Sequence, residues 1–299
     1  MKSYDRSRAR RRTRVYAAGS LALLAAVSGC GSTPAPSSSA PPATQSAPAG
    51  AAAPSAAASS PAAGAGSAAA WAKWKLQPMA PAPAAPADKP IKLTKTGTVP
   101  VIESVPTTDK VVFITIDDGE EKDPKFIQMM SDLKVPITMF LMDDAIKNDY
   151  AYFKPLQADG NSIQNHTLHH PAMSTKSADV QKKEVCGDQQ VITQQYGAAP
   201  YLFRPPYGDG AHTPTLNSAV QQCGPRAVVI WRESMQIHDM QYQTADKKLK
   251  PGDIILAHFR GPKDLKGETM TEMFGELLSR IQEQGFSVAR LDDYIQPPG

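Results

Sequence analysis

Cysteine is scarce in this chain. Three occur in 299 residues, Cys30, Cys186 and Cys223, and none stands in a C-x-x-C spacing. That argues against a cysteine-built structural zinc site. Histidine is scarce too: there are six, three of them between His166 and His170. A membrane-spanning run is missing. The apolar stretch Val15–Gly29 has 15 residues, short of the roughly 20 that a helix needs to cross a bilayer. From Gly31 to Ala70 there is no charged side chain, and nearly every residue is Ala, Pro, Ser, Gly or Thr. Such a composition cannot bury a core and is expected to form a disordered tether.

What precedes the tether is of a different kind. Residues 1–14 carry seven basic side chains and one acidic one, and the short apolar run follows directly. A basic head before a short apolar stretch is the pattern of a secretion signal. Val27-Ser28-Gly29-Cys30 resembles a bacterial lipobox, which implies lipidation at Cys30 and anchoring of the mature chain to the membrane outside the cytoplasm. Arg10-Arg11-Arg12 leaves export by the twin-arginine route open as well. Without residues 1–29 the formal charge changes from +3 to −3, since seven of 32 basic and one of 29 acidic residues go with them. A slightly acidic protein with no basic cluster is a poor nucleic-acid binder. In an exported chain the remaining pair, Cys186 and Cys223, is a disulfide candidate, with two buried thiols as the alternative. Closing that loop adds about 4 kcal/mol in the chain-entropy account. The expected organisation is a signal over 1–29, a tether over 30–100 that remains Pro-rich past Trp71 and Trp74, and one folded domain over 101–299.

Within that domain strands and helices alternate. Val111–Ile116 is a β-branched run and predicts a buried strand. Asp123-Pro124 opens a helix through Leu133, with a capping carboxylate and proline at the first position. Strands are expected at 137–142, 162–165, 201–203, 227–231, 253–257 and 286–291. Helices are expected at 150–158, 178–196, 215–222 and 268–284. About seven strands alternating with helices imply a parallel sheet covered by helices, and an α/β distorted barrel of the (β/α) kind, with a doubly wound open sheet as the alternative.

Four short patterns follow predicted strands in order, where barrel enzymes place their chemistry. They are Thr115-Ile116-Asp117-Asp118-Gly119, His166-Thr167-Leu168-His169-His170-Pro171, Arg204-Pro205-Pro206-Tyr207-Gly208 and Leu256-Ala257-His258. Neighbouring strand side chains point to opposite faces, so Asp117 and Asp118 share a site only where the strand breaks, and Gly119 offers the break. Metal-assisted hydrolysis needs one carboxylate as a ligand and another to take a proton from water. His166 and His170, four apart, lie on one side of a helical turn, and two imidazoles with a carboxylate form an open catalytic metal set. His169 competes as a ligand but sits on a different side. Arg204, followed by two prolines, is placed to pair with Asp117. His258, at the end of an apolar strand, is a candidate acid for the leaving group. Each pattern alone also fits a bland reading: a turn, a surface histidine cluster, a Pro-Gly loop, a structural histidine.

As a set these residues resemble the polysaccharide deacetylases of carbohydrate esterase family 4, the NodB-homology domain, over roughly residues 108–295. The resemblance implies that Asp118, His166 and His170 bind a divalent metal, typically zinc with cobalt as the other choice. It implies Asp117 as general base, His258 as general acid and Arg204 as the group orienting Asp117. It also implies that the Tyr207 amide faces the oxyanion and Leu256 lines the acetyl pocket. The fourth motif departs: where the family has Asp-x-x-Asp-Trp, this chain has Glu233-Ser234-Met235-Gln236-Ile237-His238-Asp239-Met240. Whether Glu233 or Asp239 buttresses Arg204 is open. So is whether Trp231, Met235 or Met240 walls the acetyl pocket, and His238 offers another imidazole nearby. The expected activity is removal of N-acetyl groups from an amino-sugar polymer, peptidoglycan by proximity or a chitin-like glycan, by a monomer at the cell surface. The rivals are an O-acetyl esterase on xylan or a similar polysaccharide, and an inactive glycan-binding lipoprotein.

Overall fold

The computed structural model describes residues 66–299. The expected signal segment, Cys30 and most of the tether lie outside the described residues. Order starts earlier than the sequence suggested. A short helix, α1 (Ala68–Lys73), opens the described chain, and a two-residue strand, β1 (Ile91–Lys92), follows. The boundary expected at residue 100 is therefore corrected. Residues 66–100 are rich in proline yet carry apolar anchors: Trp71, Met79, Leu93 and Val99 are all buried.

The rest of the chain builds the domain in order: β2 (Val101–Ile102), β3 (Val111–Asp118), α2 (Pro124–Leu133), β4 (Thr138–Leu141), α3 (Asp143–Ile146), α4 (Lys154–Ala158), β5 (Ser162–Asn165), α5 (Ala178–Tyr196) and β6 (Leu202–Phe203). Then come α6 (Pro214–Cys223), β7 (Ala227–Val229), β8 (Glu233–Met235), β9 (Met240–Tyr242), β10 (Ile254–His258), α7 (Met270–Glu283), β11 (Ser287–Val288) and β12 (Ile295–Gln296). The main sheet runs β2-β7-β6-β5-β4-β3-β10-β8-β9, with β11 also paired to β3. All pairs in it are parallel except β8 with β9, which close as an antiparallel hairpin. One isolated bridge, Ser104 to Asp253, joins the chain beyond edge strand β2 to the start of β10. The parallel sheet and its helical cover agree with the distorted barrel expected from the alternation.

Local chemistry explains the elements. Asp123 caps α2 through the Lys125 amide, and Pro124 sits where no N–H is needed. Thr269 and Glu272 form a reciprocal capping box at the start of α7. β3 is buried along its whole length, as a central parallel strand should be. Its outward residues Val112, Ile114 and Ile116 join the apolar layer under α2 and α7. Two expectations need correction. The strand expected over 227–231 stops at Val229, and the altered fourth motif, to which the sequence assigned no element, folds into β8 and β9. The segment expected as one helix over 150–158 is a 3-10 turn, Tyr150–Phe153, running into α4.

The Cys186–Cys223 disulfide is formed, with Cα atoms 4.7 Å apart, and ties α5 to α6. At the other end of the domain the Lys73 ammonium and the Trp74 indole N–H both reach the Asp132 carboxylate on α2, at 2.6 and 2.9 Å. Trp71, 1% exposed, is sunk into the largest core cluster. Replacing a buried Trp by Ala costs about 3–5 kcal/mol. Trp71→Ala is therefore expected to lower the urea-unfolding free energy by about that much. A change under about 1 kcal/mol would mean that α1 is not part of the cooperative core.

Candidate metal centre and active site

Every group of the site comes from the C-terminal end of a strand. β3 delivers Asp117 and Asp118, the turn after β5 delivers His166 and His170, the turn after β6 delivers Arg204, and β10 ends in His258. In register, His258 lies opposite Asp117 and Leu256 opposite Thr115. The backbone that makes this possible is unusual. Asp118, Thr167, His170 and Tyr207 all have positive φ, between 53° and 76°. Such conformations are costly for residues with a Cβ, and they cluster where the surroundings hold a functional geometry. At Asp118 the positive φ turns a second carboxylate onto the side already occupied by Asp117. The break foreseen at Gly119 thus begins one residue earlier.

Asp118 Oδ1 lies 3.5 Å from His166 Nε2 and 3.2 Å from His170 Nε2. Asp118 and His166 are buried, and His170 is partly covered. The His166 Nδ1 is 2.7 Å from the Arg204 carbonyl oxygen. A carbonyl only accepts, so Nδ1 carries the proton and Nε2 presents a bare lone pair. Asp118 Oδ1 is buried and has no hydrogen-bond partner. One ligand atom from each of Asp118, His166 and His170 thus lies within 4.8 Å of the others. Ligand atoms around a tetrahedral zinc ion lie roughly 3.3 Å apart, so the spacing fits a divalent ion, which Asp118, His166 and His170 would hold. Burial raises the Asp118 carboxyl, but the two imidazoles outweigh it and hold it far below the usual carboxylate range. For His166, burial works against the charged ring, yet Asp117 and Asp118 raise it on balance.

Asp117 has a different partner. Arg204 Nη1 donates to Asp117 Oδ1 at 2.7 Å, leaving Oδ2 on the side of His166, 3.6 Å from Nε2. The guanidinium is wholly buried. It also donates to Thr115 Oγ1 at 2.8 Å and to the Val229 and Ile230 carbonyls at 3.0 and 3.4 Å, and it lies over the rings of Phe140 and Trp231. The buttress left open by the fourth motif is therefore neither Glu233 nor Asp239. Asp239 pairs with Arg280 at 3.2 Å on the surface. Glu233 is buried beside Asp253. Thr115, two backbone carbonyls and two aromatic faces do the work instead; Thr115 opens the first motif, but no spacing in the sequence ties it to Arg204.

The other expected residues fall as follows. Leu256 is buried on the same face of β10 as His258. A cavity of about 110 Å³ touches His258 and is lined by Met235, Ile237, Leu265, Met273 and Arg260, among others. Met235 thus lines this pocket, while Met240 goes to the core and Trp231 lies against Arg204 and Gly208. Tyr207 is exposed and packs edge-on to the His170 ring at 4.7 Å. Burial pulls His258 down to about 4 despite Asp117 and Asp118, so its ring is neutral near pH 7. His238 does not join the site. It meets Glu268 at 2.8 Å and Glu276 at 3.7 Å on the outside of the domain. Arg260, not foreseen in the sequence, approaches Asp118 Oδ2 at 3.7 Å from the rim.

A carboxylate, two imidazoles and a second carboxylate pinned by a buried arginine are the groups that metal-assisted hydrolysis would need. Comparison with known proteins agrees with a hydrolase. Residues 104–228 match the polysaccharide deacetylase family model. The chain is 36% identical to an uncharacterized protein of Streptomyces coelicolor over 71% of this chain and 82% of that one. It is 24% identical to a peptidoglycan-N-acetylglucosamine deacetylase of Bacillus cereus over 64% of this chain and 91% of that one. Among solved structures, a peptidoglycan N-acetylglucosamine deacetylase superposes with a TM-score of 0.56 at 22% identity, covering 67% of this chain and 94% of that one. A carbohydrate esterase family 4 pseudoenzyme from Bacillus anthracis superposes with a TM-score of 0.55 at 19% identity, covering 67% and 71%. The chain belongs to the polysaccharide deacetylase family, carbohydrate esterase family 4.

The Glu233–Asp253 pair generates a pH dependence of stability. Burial first, and then the neighbouring Asp253 charge, push Glu233 up to about 8 from 4.5. A raised carboxyl favours folding only while it is protonated. Its contribution is therefore full below about pH 4.5 and is lost as pH climbs through about 8. Glu233→Gln is expected to flatten the melting temperature against pH across that window and to melt above wild type at its alkaline end. Parallel curves for the two proteins would refute this reading.

Proposed function

We propose that this protein is a divalent-metal-dependent deacetylase that removes N-acetyl groups from an amino-sugar polymer at the cell surface, with zinc as the ion and peptidoglycan as the substrate. One observation carries the reading: an unpartnered Asp118 oxygen facing two imidazole nitrogens, beside an aspartate fixed by a buried arginine. Asp118, His166 and His170 would hold a divalent ion, which would supply Lewis-acid polarisation of the acetyl carbonyl.

The chain's own groups do the rest. Asp117 Oδ2, left free by the Arg204 pairing, takes a proton from the attacking water. The backbone at Tyr207, held at positive φ beside His170, is where an amide N–H faces the developing oxyanion. His258, neutral at rest, relays to the departing amine the proton that Asp117 has taken from the water, so the imidazole ends as it began. Leu256, Met235 and Ile237 give the methyl of the acetyl group an apolar wall. The lipobox at Cys30 and the uncharged tether support a location outside the cytoplasm, anchored to the membrane, where peptidoglycan is the nearest acetylated glycan. The names of the Bacillus relatives support the same substrate class.

Acetate release from a panel of N- and O-acetylated glycan oligomers tests the proposal. Release from N-acetylated oligomers is expected, stopped by a chelator and restored by zinc or cobalt. Asp118→Ala is expected to lose both bound metal and turnover. Asp117→Asn is expected to keep the metal and lose turnover by about 10²–10⁴-fold. Release from O-acetylated oligomers alone would favour an esterase on xylan or a similar polysaccharide. Chelator-insensitive glycan binding with no acetate would favour a non-catalytic binding protein.

A further inference from the structure

Helix α5 buries polar side chains that the catalytic reading leaves unused. Glu184 and Asp188, one helical turn apart, are 6% and 0% exposed. Burying a carboxylate is costly unless it is given donors. Here the donors are the backbone amides of the metal-ligand turn. The His166 N–H donates to Asp188 Oδ2 at 3.1 Å, and the His169 N–H donates to Glu184 Oε2 at 2.9 Å. Glu184 Oε1 also holds the His169 ring, whose Nδ1 is 2.9 Å away. Between them, Gly187 leaves room for the Leu168 side chain, which a Cβ at position 187 would strike. Asn165 Nδ2 donates to the Val185 carbonyl and to Gln189 on the same face of α5. The opposite side of the turn is held by the Asp143 and Asp144 amides, which donate to the Thr167 and Leu168 carbonyls.

We propose that Glu184 and Asp188 are positioning residues for the metal centre: Asp188 sets His166, and Glu184 draws His169 away so that His170 takes the third ligand position. The turn contains three imidazoles and needs two. Its backbone is bent through positive φ at Thr167 and His170, on either side of His169. Glu184 removes the competitor at both ring and backbone. α5 is in turn tied to α6 by the Cys186–Cys223 bridge, which falls between the two carboxylates in sequence. The inference rests on the metal-hydrolase reading above.

The test is cobalt titration of the full-length protein, following the visible d–d spectrum, alongside the kcat and KM of acetate release. Glu184→Ala and Asp188→Ala are each expected to weaken cobalt binding by about 10–100-fold, and Glu184→Ala to alter the spectrum as His169 enters the coordination sphere. The double change Glu184→Ala with His169→Ala is expected to restore the wild-type spectrum. Glu184→Gln and Asp188→Asn, which keep an acceptor for the turn amides and guard against an alanine variant that fails to fold, are expected to lie between wild type and the alanine variants. His169→Ala alone is expected to leave binding unchanged. Cobalt bound by wild type, lost in Asp118→Ala and unaffected in all the Glu184 and Asp188 variants would overturn this assignment while leaving the metal site standing. A spectrum altered in Glu184→Ala but not restored by removing His169 would overturn the role given to Glu184. Wild type that binds no cobalt, or Asp118→Ala that binds as much, would overturn both.

Discussion

The fully buried guanidinium of Arg204 holds this structure's working end together. A cation with no access to water must have its donors satisfied by the protein. Arg204 meets that demand with Asp117 and Thr115 on one strand and two carbonyls following another, and it is flanked by two aromatic rings. Its own carbonyl then fixes the proton on His166. One residue thereby links three of the four sequence patterns, so the positions of base and metal ligand are not independent. A shift in either is felt by the other through the same side chain.

The altered fourth motif becomes intelligible from this. Arg204 does not require a carboxylate from that segment, because Thr115, Val229 and Ile230 already supply acceptors. The segment is free to become the β8–β9 hairpin, whose Met235 and Ile237 wall the small pocket beside His258. Glu233, displaced from any part in the arginine's environment, is buried instead with Asp253.

The sequence disclosed much of this in proportion to how local the cause was. Capping at Asp123, the β-branched run into Asp117 and the full extent of Ser162–Asn165 and Ala178–Tyr196 rest on neighbours along the chain, and the structure has them as expected. The site set Asp117, Asp118, His166, His170 and Arg204 comes together because each residue follows a strand of one parallel sheet. The failures have distant causes. Composition alone extends the tether to residue 100, yet Trp71 and Leu93 find apolar cover contributed by residues far along the chain. Nothing in the sequence singles out Glu184 or Asp188. Their burial depends on a turn that lies well before them, and nothing in the helix's own pattern points to it. His238 looked close to the site in sequence and is carried away by the hairpin.

The disulfide has a topological consequence. The loop it closes, from Cys186 to Cys223, encloses Arg204 and the proline-locked turn after it. Even a chain that has lost every non-covalent contact keeps this loop closed, with the site's central cation confined to a covalent ring that begins on the helix facing the histidine turn. Denaturation of the oxidised protein can scatter the carboxylates, but it cannot carry that arginine far from the α5 segment.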